Sequence, residues 1–105
     1  MSILNGLYTI TQQNTQELTI QLANENHPIF KAHFPEHPIL PGFALIDIMA
    51  ECLNDTIVGI NQSKFIANAL PNDILLCNIE NNQKQKKIKI FRDKEKISEI
   101  RYESK

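Results

Sequence analysis

The segment His33–Glu51, HFPEHPILPGFALIDIMAE, changes character halfway along. Its first part carries Pro35, Pro38 and Pro41. Each proline fixes its own φ and pushes the residue before it towards extended geometry, so residues 33–40 are expected to form a stiff, non-helical strap. From Pro41-Gly42 onward the run FALIDIMAECLNDTIV is long and apolar enough to be a buried helix. Proline suits such a start, because the first turn has no partner for its N–H. The run is apolar on nearly all sides, which predicts a helix wrapped by the rest of the domain. It should end near Gly59, since glycine accepts the left-handed cap conformation. Asp47 stands inside it with Phe43, Ile46, Ile48 and Met49 as neighbours. A carboxylate is costly to bury there unless it is paired or holds a proton, which makes Asp47 a candidate for chemistry.

The pattern H-F-P-x-x-P-x-x-P-G, with an acid fourteen residues after the histidine, resembles the β-hydroxyacyl-(acyl-carrier-protein) dehydratases of fatty-acid synthesis. The resemblance covers residues 25–105 and is strongest over 30–50. It implies an α+β hotdog fold, in which a curved antiparallel sheet wraps one long central helix. The common branch of that family has Glu where this chain has Asp47, and the decanoyl dehydratase/isomerase branch has Asp. Three departures stand out. Glu51 replaces a usual Gln four residues after the acid, while Ala32 and Glu36 replace usual glycines around the His-Phe pair.

At 105 residues the chain is expected to be a single domain, 1–105, and a chain this short completes its core most easily as a homo-oligomer. With 42% apolar and 22% charged residues, it has the composition of an ordinary globular protein. No apolar run reaches the length of a membrane span, and MSILNGLYTITQQ lacks the regions of a signal peptide, so a cytoplasmic protein is expected. Cys52 and Cys77 lie in apolar surroundings without a neighbouring cation, as free thiols rather than nucleophiles. Nine of the eleven Lys and Arg residues fall between Lys84 and Lys105, against four acids. Such a cluster is either the solvated face of terminal strands or a surface that steers an acidic partner. The near-neutral charge and the absence of a Gly-rich or aromatic-basic pattern argue against nucleic acid.

Residues 6–12 read as a short strand, Gln13-Asn14-Thr15 as a turn, and the alternating Leu18, Ile20 and Leu22 as a second strand forming a hairpin with the first. After the helix, Lys64–Leu70 is expected as a strand. The Pro71-Asn72-Asp73 turn follows, with Asn72 standing where the family has glycine. Ile74–Glu80 resumes with Leu75, Cys77 and Ile79 on one face, then Lys87–Phe91 and a weakly alternating Ile97–Tyr102. Two strands, a helix and about four strands make an α+β order.

Elimination of water from a β-hydroxyacyl thioester needs a base at the α-carbon, an acid at the leaving hydroxyl and a donor for the enolate oxygen. The resemblance assigns the first to His33, the second to Asp47 and the third to the backbone N–H of Gly42. It also implies that His33 and Asp47 of one site come from different subunits of a homodimer, or of a multiple of dimers. Taken singly, a histidine in a proline-rich loop is usually structural and an acid in an apolar helix usually faces a groove; the joint spacing favours a site. His27, His33 and His37 with Glu36 do not have a metal-ligand spacing, and no serine sits in a nucleophile turn. The implied activity is cofactor-free dehydration of a β-hydroxyacyl chain on acyl carrier protein to a trans-2-enoyl thioester. A hotdog thioesterase and a non-catalytic acyl- or carrier-binding hotdog are the alternatives.

Overall fold

The computed structural model describes residues 4–32, 36–82 and 84–105, so His33, Phe34 and Pro35 lie outside the described residues. Among the described residues six strands are formed: β1 (Tyr8–Gln13), β2 (Glu17–Leu22), β3 (Ile57–Phe65), β4 (Ile74–Asn81), β5 (Lys86–Arg92) and β6 (Glu95–Ser104). Between β2 and β3 lie a short helix α1 (Pro28–Ala32) and the main helix α2 (Gly42–Leu53). All strands join one antiparallel sheet in the order β1-β2-β4-β5-β6-β3. This is the α+β hotdog arrangement expected from the sequence, with two strands before the helix and four after it.

Helix α2 buries Ala44, Leu45, Ile48 and Met49, spaced to lie on one face. They join Leu18, Ile20 and Leu22 of β2, Leu75, Cys77 and Ile79 of β4, and Ile88, Ile90, Ile97, Ile100 and Tyr102 of β5 and β6 in a single core. The helix is not wrapped on all sides, however. Phe43, Asp47 and Glu51, four residues apart, form an exposed ridge along its other face. The helix also ends at Leu53 and not near Gly59. Asn54 adopts the left-handed conformation (φ 55°, ψ 41°), and the N–H groups of Asn54 and Asp55 return to the carbonyls of Ala50 and Glu51. Asparagine is the usual substitute for glycine in this cap, and the β-branched Thr56-Ile57-Val58 then favours a strand.

The strand expected over Lys64–Leu70 is displaced towards the N-terminus, because β3 finishes at Phe65. There the N–H groups of Ile66 and Ala67 both turn to the Ile97 carbonyl (2.8 and 3.1 Å), which takes the chain off the ladder. The end of the strap is held to the segment that follows, with Leu40 N–H donating to Ala69 O at 2.8 Å. Asn72 has φ 69°, the glycine-like conformation expected of it in the turn. The Asp73 carboxylate closes that turn on Leu70 N–H (2.8 Å) and meets Arg92 Nη1 (2.7 Å).

The weak alternation of β6 has a local cause. The β5–β6 register slips so that Ile90 faces Ser98 but Phe91 faces Lys96, leaving Ile97 as the extra residue. Ile97 and Ser98 are therefore both buried, and Ser98 Oγ donates to Lys64 O at 3.0 Å. A second bulge lies in β1, where the register with β2 shifts between Ile10 and Gln12. Tyr8, Ile10 and Gln13 consequently all sit opposite core residues, namely Leu22, Ile20 and Leu18. An unbroken strand would put Tyr8 and Gln13 on opposite faces.

Candidate active site

Pro41 caps α2 with extended backbone (φ −61°, ψ 144°), and its carbonyl accepts the N–H groups of Ala44 (3.0 Å) and Leu45 (3.3 Å). Gly42 thus places the first N–H of the helix at its positive end, where a developing oxyanion is favoured. The room that its missing side chain leaves is filled by the ring of Phe65. A Cβ on residue 42 would stand 2.7 Å from both Cε2 and Cζ of that ring. Nothing in the sequence alone pairs these two residues.

Asp47 lies on the exposed ridge of α2 and not in the apolar interior its neighbours suggested. Helical geometry explains the difference: Ile48 and Met49 point into the sheet, and residue 47 is turned away from both. The candidate site of this chain is therefore an open face bearing Phe43, which is 51% exposed, then Asp47 and Glu51. His33 lies outside the described residues, so the structure does not relate it to Asp47 or Gly42.

One polar group meets this ridge that the sequence did not single out. Tyr8 on β1 donates its hydroxyl to Glu51 Oε1, and Gln13 Nε2 on the same strand donates to the Cys52 carbonyl at 3.1 Å. Burial, with the bonds to Glu51 and Cys52 added, holds the Tyr8 phenol well above the ordinary tyrosine range, so it stays a neutral donor. Burial likewise raises the Cys52 thiol, with the Tyr8 hydrogen bond opposing and the Glu51 charge assisting. Burial pushes the Cys77 thiol up to about 12. Both cysteines are free, and neither has the lowered pKa of a nucleophile.

His27 has a structural task. Its Nδ1 accepts the N–H of Ile29 at 3.1 Å, capping α1, while Nε2 is 2.9 Å from the Asn5 carbonyl. That pairing engages both ring nitrogens. The basic run of β5 is also largely paired: Lys86 with Asp55 (2.7 Å), Lys87 with Glu99 (3.9 Å), Lys89 with Glu80 (3.9 Å) and Arg92 with Asp73. These contacts favour the solvated-face reading of the cluster over a free cationic docking surface.

One antiparallel sheet packed on one main helix is the hotdog architecture. The family model described as ApeI-like, ApeI dehydratase, matches residues 9–101, and the chain belongs to that family. Among solved structures, the dehydratase heterocomplex ApeI:P from Xenorhabdus doucetiae is similar, with a TM-score of 0.71 and 26% identity over 91% of this chain and 93% of that one. A mutant thioesterase from Pseudomonas aeruginosa shares the fold at a TM-score of 0.56 and 15% identity, covering 98% and 85% of the two chains. Among curated proteins, a 3-hydroxyacyl-(acyl-carrier-protein) dehydratase FabZ from Ruminiclostridium cellulolyticum is 26% identical over 60% of this chain and 54% of its own length. One from Clostridium botulinum is 32% identical over 52% of this chain and 47% of its own. The chain thus spans about half the length of the curated relatives it matches.

Proposed function

We propose that this protein dehydrates a β-hydroxyacyl thioester carried on acyl carrier protein to the trans-2-enoyl thioester, without a cofactor. The observation that carries the reading is the placement of Gly42 and Asp47 on one helix, five residues or about 7.5 Å apart along its axis. That spacing suits a substrate whose thioester carbonyl meets the helix N-terminus while its β-carbon reaches the acid. His33 takes the α-proton, and the electron pair moves into the carbonyl, whose oxygen is held by the Gly42 N–H. The enolate then collapses, and the β-hydroxyl leaves as water with the proton of Asp47. Proton exchange with solvent then restores both groups.

The reading includes a dimer. Strand β3 is an edge of the sheet and exposes Val58 and Ile60, while Phe43 stands exposed on the ridge of α2. A paired edge and a covered ridge remove a liability that a lone chain would carry. The Xenorhabdus relative is described as a heterocomplex, which supports assembly as a feature of the family. For this chain the proposed partner is a second copy, in a dimer or a multiple of dimers, which brings its His33 to the first chain's Asp47. The single domain 1–105 and a cytoplasmic setting belong to the same reading. No described helix is long and apolar enough to cross a membrane.

Asp47→Asn and His33→Ala test the chemistry. Each is expected to lower enoyl-thioester formation at least ~100-fold with the fold intact, the low end for general acid–base catalysis. Release of free thiol instead of enoyl product would assign the protein to the thioesterases. Full dehydratase activity in either variant would falsify the role given to that residue.

A further inference from the structure

We infer that Tyr8 is a positioning residue, which fixes Glu51 on the open ridge of α2 so that its second carboxylate oxygen accepts the hydroxyl of a β-hydroxylated acyl chain. The inference rests on the proposed function and names the feature of the substrate that the site selects.

Three observations lead to it. Glu51 follows Asp47 by four residues, so both carboxylates leave the same helix face about 6 Å apart along the axis. An exposed glutamate ordinarily samples many rotamers. This one is restrained, because Tyr8 donates to Oε1 and leaves Oε2 to point elsewhere. Finally, the restraint is built into the sheet. The bulge in β1 turns Tyr8 and Gln13 to the same side, and both bond the last turn of α2, at Glu51 and at the Cys52 carbonyl. Two ties from one strand hold the helix end and the side chain together.

The carboxylate oxygen not engaged by Tyr8 can accept from water on this exposed ridge, or from a hydroxyl on a bound molecule. Along this ridge, next to the acid that protonates the leaving oxygen, the β-hydroxyl of the substrate is a donor of the right kind. A saturated acyl chain offers none, and the enoyl product has lost it. A bound saturated chain would displace water from Glu51 without offering a donor in its place, so a site of this kind favours the hydroxylated analogue. The same bond weakens when water departs, which favours release of the product.

The test uses two unreactive thioether analogues of an acyl pantetheine, one with a β-hydroxyl and one saturated, bound to the full chain. The wild type is expected to hold the hydroxylated analogue about tenfold more tightly, the usual scale for a hydrogen bond to a charged group. Tyr8→Phe and Glu51→Ala are expected to remove most of that preference while leaving affinity for the saturated analogue unchanged. A merely structural role would weaken both analogues together, and that outcome overturns the inference. In turnover, Tyr8→Phe should raise KM several-fold with kcat changed less. Asp47→Asn separates this inference from the proposed function: it should abolish turnover yet keep the tenfold preference. If Asp47→Asn stays active, the catalytic assignment fails while the binding comparison still decides the role of Tyr8. Equal binding of the two analogues by the wild type overturns the inference outright.

Discussion

The ring of Phe65, at the end of β3, occupies the space beside Gly42 that any side chain there would need, with 2.7 Å between Cε2 or Cζ and the position of a Cβ. This contact joins the start of the helix to the far edge of the sheet. It gives the glycine a packing role in addition to the backbone donor role proposed for it. Phe65 itself remains 46% exposed, so the ring is braced on one side only.

Gly42→Ala is expected to push the ring tip aside at a cost of at most about 1 kcal/mol, below the usual cost of overpacking a core, because the half-exposed Phe65 ring can move. Phe65→Leu shortens the opposing side chain and should relieve most of that cost in the double variant. Urea unfolding of the wild type, both singles and the double measures the coupling. Additive losses would mean that the two residues do not press on one another.

Mixing His33→Ala with Asp47→Asn is expected to restore part of the lost activity, because a mixed dimer pairs one intact His33 with one intact Asp47. The ceiling is roughly a quarter of the wild-type rate, as about half of the dimers are mixed and each has one whole site. Sedimentation at micromolar concentration should give twice the 12.0 kDa chain mass or a multiple of that. No rescue despite proven subunit exchange would place both residues of a site in one chain.

Both tyrosines of the chain have raised pKa values. Burial is the larger cause for each, followed by donation to a carboxylate, Glu51 for Tyr8 and Asp55 for Tyr102. A folded-state pKa above the unfolded value stabilises fully below the unfolded pKa, and the contribution is lost as pH rises above it. Stability should therefore fall as pH climbs past about 10, the ordinary tyrosine value. Tyrosinate absorbance should rise together with unfolding, measured by circular dichroism. Free titration of either phenol near pH 10 in the folded protein would contradict this.

Asp55 accepts from Lys86 Nζ at 2.7 Å and from Tyr102 at 2.6 Å, just beyond the cap of α2. The charged side chains are only 15% and 13% exposed, so removing one partner leaves a largely buried charge. Lys86→Met is expected to cost roughly 3 kcal/mol, the low end for breaking such a pair. Lys87→Met loses only a 3.9 Å contact on a more exposed side chain and should cost less than about 1 kcal/mol. Unfolding in urea distinguishes them. A similar loss from both would mean that the cluster acts through overall charge.

Much of this molecule was legible in one dimension. Strict alternation marked the buried faces of β2 and β4, since a strand with one face in the core must repeat every two residues. Asn72 was readable as a glycine substitute because few other residues tolerate positive φ. The motif from His33 to Asp47 placed the acid and the helix start at family spacing, and the helix appeared where its apolar run begins. The run could not disclose where it stops. Asn54 and Gly59 are both able to cap, and hydrogen bonds to Ala50 and Glu51, with a strand waiting at Ile57, decided between them. Nor did the apolar run disclose which way Asp47 faces; Asp47 and Glu51, four residues apart, were its one polar mark of an exposed side. Only the packing of Ile48 and Met49 against the sheet settled that. The contacts of Tyr8 with Glu51 and of Phe65 with Gly42 join residues 43 and 23 positions apart. Such pairs depend on strand order and on a bulge that reverses facing, and tertiary structure alone brings them together.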